Sequence, residues 1–168
     1  MFSIRKKMYK PASFYDFACV LLEVPENVQR AVCILANDID PDIINVDEGG
    51  IEDSPHITVL YGVNDNLELN KYFSKPFLVK TDTKISYFDN DTTTVAKVDI
   101  ISPELKDIHL LMKSKESNQD SHEYYHPHMT IAYLKKGARL ENDGFVHFSW
   151  IQKHISLRKN GLLDKYVL

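Results

Sequence analysis

The sequence predicts an α+β fold in which two small antiparallel sheets face one central cleft and carry helices on the outside. Three observations support this prediction: β-branched stretches bounded by turn residues, two helical apolar patterns between them, and a short string that occurs twice. Long parallel crossovers are not evident, which argues against a parallel α/β sheet. Because 168 residues are about one domain's worth of chain, we expect residues 1–168 to form a single domain of two pseudo-symmetric lobes.

The first elements of the chain are a predicted strand, a helix and a second, short strand. Residues 14–24 are aromatic and β-branched and end at Pro25, as a strand closed by a turn does. From Glu26 the apolar residues recur at helical spacing until Pro41, which predicts an amphipathic helix. Residues 43–46 are predicted to form the short strand that follows.

The middle of the chain reads as strands with one short helix. A strand is predicted over residues 57–61, and a short helix near residues 67–72 is stopped by Pro76. Residues 77–87 and 93–101 are β-branched and are separated by turn-forming residues, which predicts a hairpin.

The last third begins with a capped helix. Ser102 is predicted to cap it and Pro103 to occupy its first position. Residues 128–134 are predicted as a strand, and residues 145–157 as one or two more strands. The tail from Asn160 receives no assignment.

The repeated string is Pro-His-x-Thr followed by apolar residues. It reads PHITVLYG at residues 55–62 and PHMTIAYL at residues 127–134. Strand alternation places Tyr61 and Tyr133 on the face opposite the histidines, so both tyrosines are predicted to pack in the core or against the sheet. Two copies with matched flanks are a far more specific signal than one isolated His-x-Thr.

In each copy the strand presents a polar pair to one side. Successive side chains of a strand point to opposite faces, so His56 and Thr58 share a face, as do His128 and Thr130. Burying polar groups without partners is costly. We therefore predict that both strands line a wet cleft that holds a ligand.

Phosphodiester cleavage suits these residue types. One group must take a proton from the attacking oxygen and another must give one to the leaving oxygen, and imidazole, with a pKa of about 6.5, performs either task near neutral pH. The hydroxyls of Thr58 and Thr130 can hold the phosphate oxygens. This chemistry requires no metal or other cofactor. The sequence does not assign which of His56 and His128 is the acid and which is the base. It also does not distinguish water from a 2'-hydroxyl as the nucleophile.

Two His-x-Thr strings on predicted strands resemble the 2H phosphoesterase superfamily, over most of the chain. The superfamily includes RNA ligase-like enzymes and cyclic nucleotide phosphodiesterases, and the resemblance implies its bilobal fold with His56 and His128 in the active site. Residues 51–62 and the short chain are similar to the phage-encoded anti-CBASS enzymes. That narrower resemblance implies a metal-independent hydrolase of 3'–5' bonds in cyclic di- or trinucleotide messengers, which counters bacterial immunity.

Composition limits the partners. The 24 acidic and 20 basic residues give a net charge of -4, which would repel a long polyanion, so we expect a small cyclic oligonucleotide rather than long nucleic acid. We expect no membrane partner, since no apolar run approaches the length of a span, and the sequence carries no sign of an obligate protein partner. Cys19 and Cys33 form no CxxC pair, which fits a reducing compartment, and we expect a cytoplasmic protein, in the bacterial host if phage-encoded.

Three alternatives accompany this prediction. Zinc could bind the tract containing His122, Glu123, His126 and His128, but its spacing matches no familiar motif and we predict no metal site. The enzyme could instead act on RNA ends bearing a 2',3'-cyclic phosphate. The protein could also bind nucleotides as a sponge without cutting them. The prediction itself includes aromatic side chains that border the cleft and stack on bases, and these are Tyr9, Tyr15 and Trp150. For Trp150 a core position is the simpler interpretation.

Overall fold

The structure, a computed structural model, describes residues 17–160 and 162–167, so the predicted contacts Tyr9 and Tyr15 lie outside the described residues. Eight strands and two helices form the described fold, with short 3₁₀ turns at Pro41–Ile43 and Leu69–Lys71. In chain order the elements are β1 (Ala18–Glu23), α1 (Glu26–Asn37), β2 (His56–Val63), β3 (Phe77–Asp89), β4 (Thr93–Ile101), α2 (Pro103–Lys115), β5 (His128–Lys135), β6 (Ser149–Gln152), β7 (His154–Lys159) and β8 (Leu162–Val167).

Both helices begin where the sequence predicts. Pro25 precedes α1, and the Ser102 hydroxyl caps α2 by accepting a hydrogen bond from the Leu105 amide at 3.4 Å. Pro103 occupies the first turn of α2, where its missing N–H costs nothing. The buried faces of the helices recur at helical spacing: Val28, Val32 and Ala36 on α1, and Leu105, His109 and Met112 on α2.

The strands form one curled antiparallel sheet in the order β6-β3-β4-β5-β2-β1-β7-β8. This order contains two halves of four strands each. We call β2, β1, β7 and β8 the His56 half, and β5, β4, β3 and β6 the His128 half. A single residue pair, Ile57 with Met129, joins β2 to β5 at the centre. The sequence predicted two sheets, and hydrogen bonding instead joins both halves into one.

Two local assignments differ from the sequence prediction. Residues 43–46 do not form a strand. This segment runs along the edge of β5, where Ile44 makes one isolated bridge to Leu134. Residues 162–167, which received no assignment, form β8 and pair with β7. Lys153 alone connects β6 to β7, although these strands belong to different halves. The sheet must therefore curl so that its two halves approach each other.

The core lies between the sheet and the helices. Helix α1 packs against β5, and α2 packs against β2. Ile57 and Met129, the central pair, are fully buried. Since alternate strand residues point to opposite faces, the histidines of both motifs lie on the other face of the sheet. No helix within residues 17–160 is long and apolar enough to cross a membrane.

Candidate active site

The central residue pair brings the two His-x-Thr motifs together. Because β2 and β5 are antiparallel and Ile57 pairs with Met129, the next positions along the register place Thr58 beside His128 and His56 beside Thr130. All four side chains are partly buried on the same face. The structure thus assembles the four residues predicted from the sequence into one cluster with approximate twofold symmetry.

Each histidine is held by a carbonyl two residues earlier in the chain. His56 Nδ1 lies 2.8 Å from the Ser54 carbonyl oxygen, and His128 Nδ1 lies 2.8 Å from the His126 carbonyl oxygen. A carbonyl only accepts, so Nδ1 carries the hydrogen in both rings. In both motifs this leaves Nε2 as the nitrogen with a lone pair, available to accept a proton or a hydrogen bond.

The surroundings of His56 lower its pKa below the ordinary value. Burial has the largest effect, because it penalises the charged imidazolium. The Ser54 carbonyl and the charge of Glu52 oppose it, and the positive charge of Arg158 adds to it. A neutral imidazole at neutral pH is ready to accept a proton.

The pKa of His128 is also lowered, with burial again the largest cause. The His126 carbonyl raises it, Lys97 lowers it, Asp99 raises it and His56 lowers it, in decreasing order of effect. The two catalytic candidates therefore affect each other electrostatically. Each also has one cation and one carboxylate close enough to influence its titration.

Both motifs contain a β-bulge directly after the threonine. On β2, Thr58 pairs with Leu21 and Leu60 with Val20, so Val59 is an extra residue. On β5, Thr130 pairs with Lys97 and Ala132 with Ala96, so Ile131 is the extra residue. An extra residue shifts the alternation of side chains along the strand.

This shift corrects the prediction for the two tyrosines. Past the bulges, the register places Tyr61 and Tyr133 on the same face as the histidines rather than opposite them. Tyr61 is 41% exposed and lines a cleft, so it is not a core residue. Tyr133 packs against Gly49, where an added Cβ would lie 2.5 Å from the ring. Tyr133 therefore has the packing role that the sequence predicted, on a different face.

A cleft of about 600 Å³ opens beside Thr58 and His128, a size typical of small-molecule sites. Its lining combines these polar residues with aromatic rings from the β3–β4 hairpin, the end of β2 and the segment before β5. The other lining residues are Val59, Leu60, Tyr61, Tyr87, Phe88, Lys97, His109, Asp120, His122, Tyr124, Tyr125 and His126. The ring of Phe88 meets that of His128 edge to face, with centroids 6.0 Å apart.

One wall of the cleft is built from stacked side chains. His109 Nδ1 donates to the Val59 carbonyl at 2.7 Å, and the Tyr125 hydroxyl donates to the Thr58 carbonyl at 2.8 Å. The two rings stack with centroids 3.9 Å apart. Asp120 lies 3.6 Å from His109 Nε2. These contacts fix the backbone of β2 at its bulge.

The sequence motifs do not include His109, a packed residue that supports the wall of the cleft. Its position on α2, four residues after Leu105, places it on the apolar face of the predicted helix, and it is only 2% exposed. A histidine on the buried face of a helix needs polar partners. That pattern was the available signal, but its partner Val59 lies 50 residues away and is recognised only in the fold.

Each histidine also has a carboxylate directly across the strand pair on its outer side. Glu23 pairs with His56, and Asp99 pairs with His128. Although burial opposes it, the pKa of Asp99 is lowered by its hydrogen bonds with Lys97 and Ser86. Sequence patterns alone do not reveal these pairs, because they depend on strand register.

The structure also places Trp150 and the histidines of the possible zinc tract. Trp150 lies on β6, where its indole donates to the Gln152 side chain at 2.8 Å and packs against the core; it is not among the residues that line the cleft. His122 and His126 do line it. Within the described part of the chain, no group of three or more His, Cys, Asp or Glu side chains is arranged to hold a metal ion.

No family model and no curated protein matches the sequence. Solved structures do resemble it. Escherichia coli LigT in its apo form matches with a TM-score of 0.59 and 14% identity, over 90% of this chain and 94% of LigT. TT0787 of Thermus thermophilus matches with a TM-score of 0.55 and 16% identity, over 90% and 94%. The chain has the LigT-like fold.

The LigT-like fold extends to a eukaryotic protein. Kluyveromyces marxianus Usb1 with uridine monophosphate matches with a TM-score of 0.52 and 10% identity, over 91% of this chain and 99% of Usb1. These neighbours are 2H phosphoesterase family members, the family that the two motifs resemble. At identities this low, the likeness to them establishes the fold alone.

Proposed function

We propose that the protein is a metal-independent 2H-type phosphodiesterase that hydrolyses 3'–5' bonds of cyclic di- or trinucleotide messengers. Its biological role would be that of a phage protein that counters CBASS immunity in the bacterial cytoplasm. The main observation in support is the register of β2 and β5, which places Thr58 beside His128 and His56 beside Thr130. Two imidazoles and two hydroxyls on one face match the needs of acid–base cleavage at phosphorus.

The reaction follows from the two Nε2 atoms. One neutral imidazole takes the proton of the attacking oxygen as this oxygen bonds to phosphorus. The other imidazole, protonated, gives its proton to the leaving oxygen as the P–O bond to that oxygen breaks. Each transfer contributes roughly 10² to 10⁴ in rate. The hydroxyls of Thr58 and Thr130 donate to the non-bridging oxygens, whose charge distribution changes in the transition state.

The volume of the cleft and the net charge of the protein both favour a small substrate. About 600 Å³ accommodates a nucleoside rather than a long strand, and the exposed rings of Tyr61, Phe88 and Tyr124 offer surfaces on which a base can stack. The sequence suggests Tyr9, Tyr15 and Trp150 for base stacking, and the exposed rings of the cleft offer that surface instead. The net charge of -4 leaves little excess cation for a polyphosphate track.

The test is a substrate panel in excess EDTA. Cyclic di- and trinucleotides, linear single-stranded RNA and RNA with 2',3'-cyclic phosphate ends are incubated across a salt series, and the products are resolved. We expect the cyclic oligonucleotides to be cleaved far more efficiently, with a salt slope corresponding to about two or three phosphate contacts. Activity that EDTA removes and zinc restores would contradict the proposal. Tight binding without products would identify a nucleotide sponge instead.

RNA ends bearing a 2',3'-cyclic phosphate are the second candidate substrate. The fold likeness to LigT, which has also been solved with 3'-AMP, and to Usb1 favours this alternative. In that case the same histidines would open the cyclic phosphate. Preference for linear RNA, with a steep salt slope, would establish this candidate and reject the cyclic oligonucleotide.

A further inference from the structure

Lys97 is a buried cation in the centre of the sheet. It is 9% exposed, lines the cleft, and pairs across the strands with Thr130. Its ammonium donates to the Ser86 hydroxyl at 2.8 Å and to the Asp99 carboxylate. An ammonium has three N–H donors, so these bonds leave one for a ligand. Asp99 and Ser86 compensate the burial of this charge, and an apolar side chain would avoid the desolvation cost altogether. The mechanism above gives this cation no role.

The other half of the sheet lacks this cation at the equivalent position. Leu21 pairs with Thr58 and with Ser156, as Lys97 pairs with Thr130 and with Ser86. The two positions are therefore related by the approximate symmetry of the halves. An apolar side chain satisfies the packing in one half, so the charge in the other is not a requirement of the fold.

We propose that Lys97 is a further catalytic residue, whose ammonium binds one non-bridging oxygen of the scissile phosphate beside Thr130. Ser86 and Asp99 hold the ammonium in place before substrate arrives, and a preorganised cation stabilises charge that develops at phosphorus. Since Lys97 belongs to only one half, it contacts one of the two non-bridging oxygens. The proposal rests on the proposed phosphodiesterase function.

Stereochemistry tests the contact directly. Substrates carry sulfur in place of either non-bridging oxygen, and turnover is measured for wild type, Lys97→Gln, Lys97→Arg and the exposed control Lys71→Leu. Wild type should discriminate strongly between the two sulfur isomers. Lys97→Gln should lose about 10² to 10³ in kcat on the oxygen substrate and lose most of the discrimination, Lys97→Arg should retain part of both, and Lys71→Leu should match wild type.

Equal discrimination in Lys97→Gln and wild type would overturn the proposal while leaving the phosphodiesterase function intact. A second measurement covers the case in which no substrate is cleaved. Binding of inorganic phosphate, followed by ³¹P line broadening, should weaken about tenfold or more in Lys97→Gln and not in Lys71→Leu. Unchanged phosphate binding would reject the Lys97 contact independently of turnover. Circular dichroism of each variant shows whether it is folded.

Discussion

The His56 half and the His128 half present the same His-x-Thr motif but cover the edge beside it differently. Past its bulge, β5 is paired by backbone: the Asn45 amide donates to the Tyr133 carbonyl at 2.9 Å, and the Glu52 amide to the Ile131 carbonyl at 3.0 Å. On the corresponding edge of β2 the Gln119 amide donates to the Tyr61 carbonyl at 3.3 Å, but the Thr58 and Val59 carbonyls accept from the side chains of Tyr125 and His109.

This difference explains why the symmetric cluster has an asymmetric cleft. A paired backbone segment fills the space beside β5, whereas stacked rings standing beside β2 leave a cavity of about 600 Å³ between them and His128. Duplication of the motif therefore presents the same side chains twice, and the segment next to each copy decides where a cleft opens.

The largest expected effects come from the two histidines. His56→Ala and His128→Ala should each lower kcat by about 10² to 10⁴, because each removes one proton-transfer group. The double variant should be little worse than either single variant, since both groups act in one step. Single-turnover assays of all three variants measure this. Near wild-type turnover in either single variant would show that the halves do not share the reaction.

Tyr61 and Tyr133 should respond oppositely to truncation. Tyr133→Ala removes the ring packed on Gly49 and should lower the free energy of unfolding by about 2 kcal/mol or more. Tyr61→Ala should leave stability nearly unchanged and weaken ligand binding by about 1 to 3 kcal/mol if the ring stacks on a base. Urea denaturation and calorimetric titration separate the two outcomes. Equal loss of stability in both variants would contradict the assigned roles.

Tyr125→Phe removes only the hydroxyl that donates to the Thr58 carbonyl. We expect the free energy of unfolding to fall by about 1 kcal/mol, the usual net value of one hydrogen bond. We also expect kcat to fall by a larger factor than the factor by which KM changes. Tyr124→Phe is the matched control, because Tyr124 is exposed on the same segment. If both variants behave alike, the hydroxyl of Tyr125 does not position β2.

The smallest effect is on the pH dependence of stability. The pKa values of His56 and His128 are lowered in the folded protein, mainly by burial, so the unfolded chain binds more protons on acidification. The contribution of the two neutral histidines to the free energy of unfolding is fully present above a pH of about 6.5. It is lost as the pH falls through their pKa values in the folded protein. Thermal unfolding between pH 7.5 and 5 should show this decrease, and His56→Asn or His128→Asn should flatten it. Loss confined to pH values below about 4 would implicate the carboxylates instead.

Much of the site was predictable because its signal is local. Proline, histidine and threonine within four residues define each motif, and strand alternation correctly grouped His56 with Thr58. The faces of Tyr61 and Tyr133 were not predictable, since a bulge is recognised only from register with neighbouring strands. Lys97 was missed for the same reason: its partners Thr130 and Ser86 belong to two other strands.

The helices were predicted better than the strand pairing. The capping residue Ser102 and the apolar spacing of α1 and α2 depend on neighbours within a few residues. Which strands pair, and that the halves form one sheet, depends on contacts such as Ile57 with Met129, for which the sequence has no local marker. The segment over residues 43–46 has strand-like composition, but it lies along β5 with a single bridge.

The connection through Lys153 has a consequence for how the chain folds. Strand β1 is synthesised long before its outer partner β7, which lies beyond residue 153, as the pairing of Cys19 with Arg158 shows. A nascent chain that ends before β7 would expose one edge of β1, which is a site for association with other strands. Contacts so distant in sequence slow folding. We therefore expect the His56 half to be completed only after β7 has been synthesised, and truncation at Gln152 to give an aggregation-prone product.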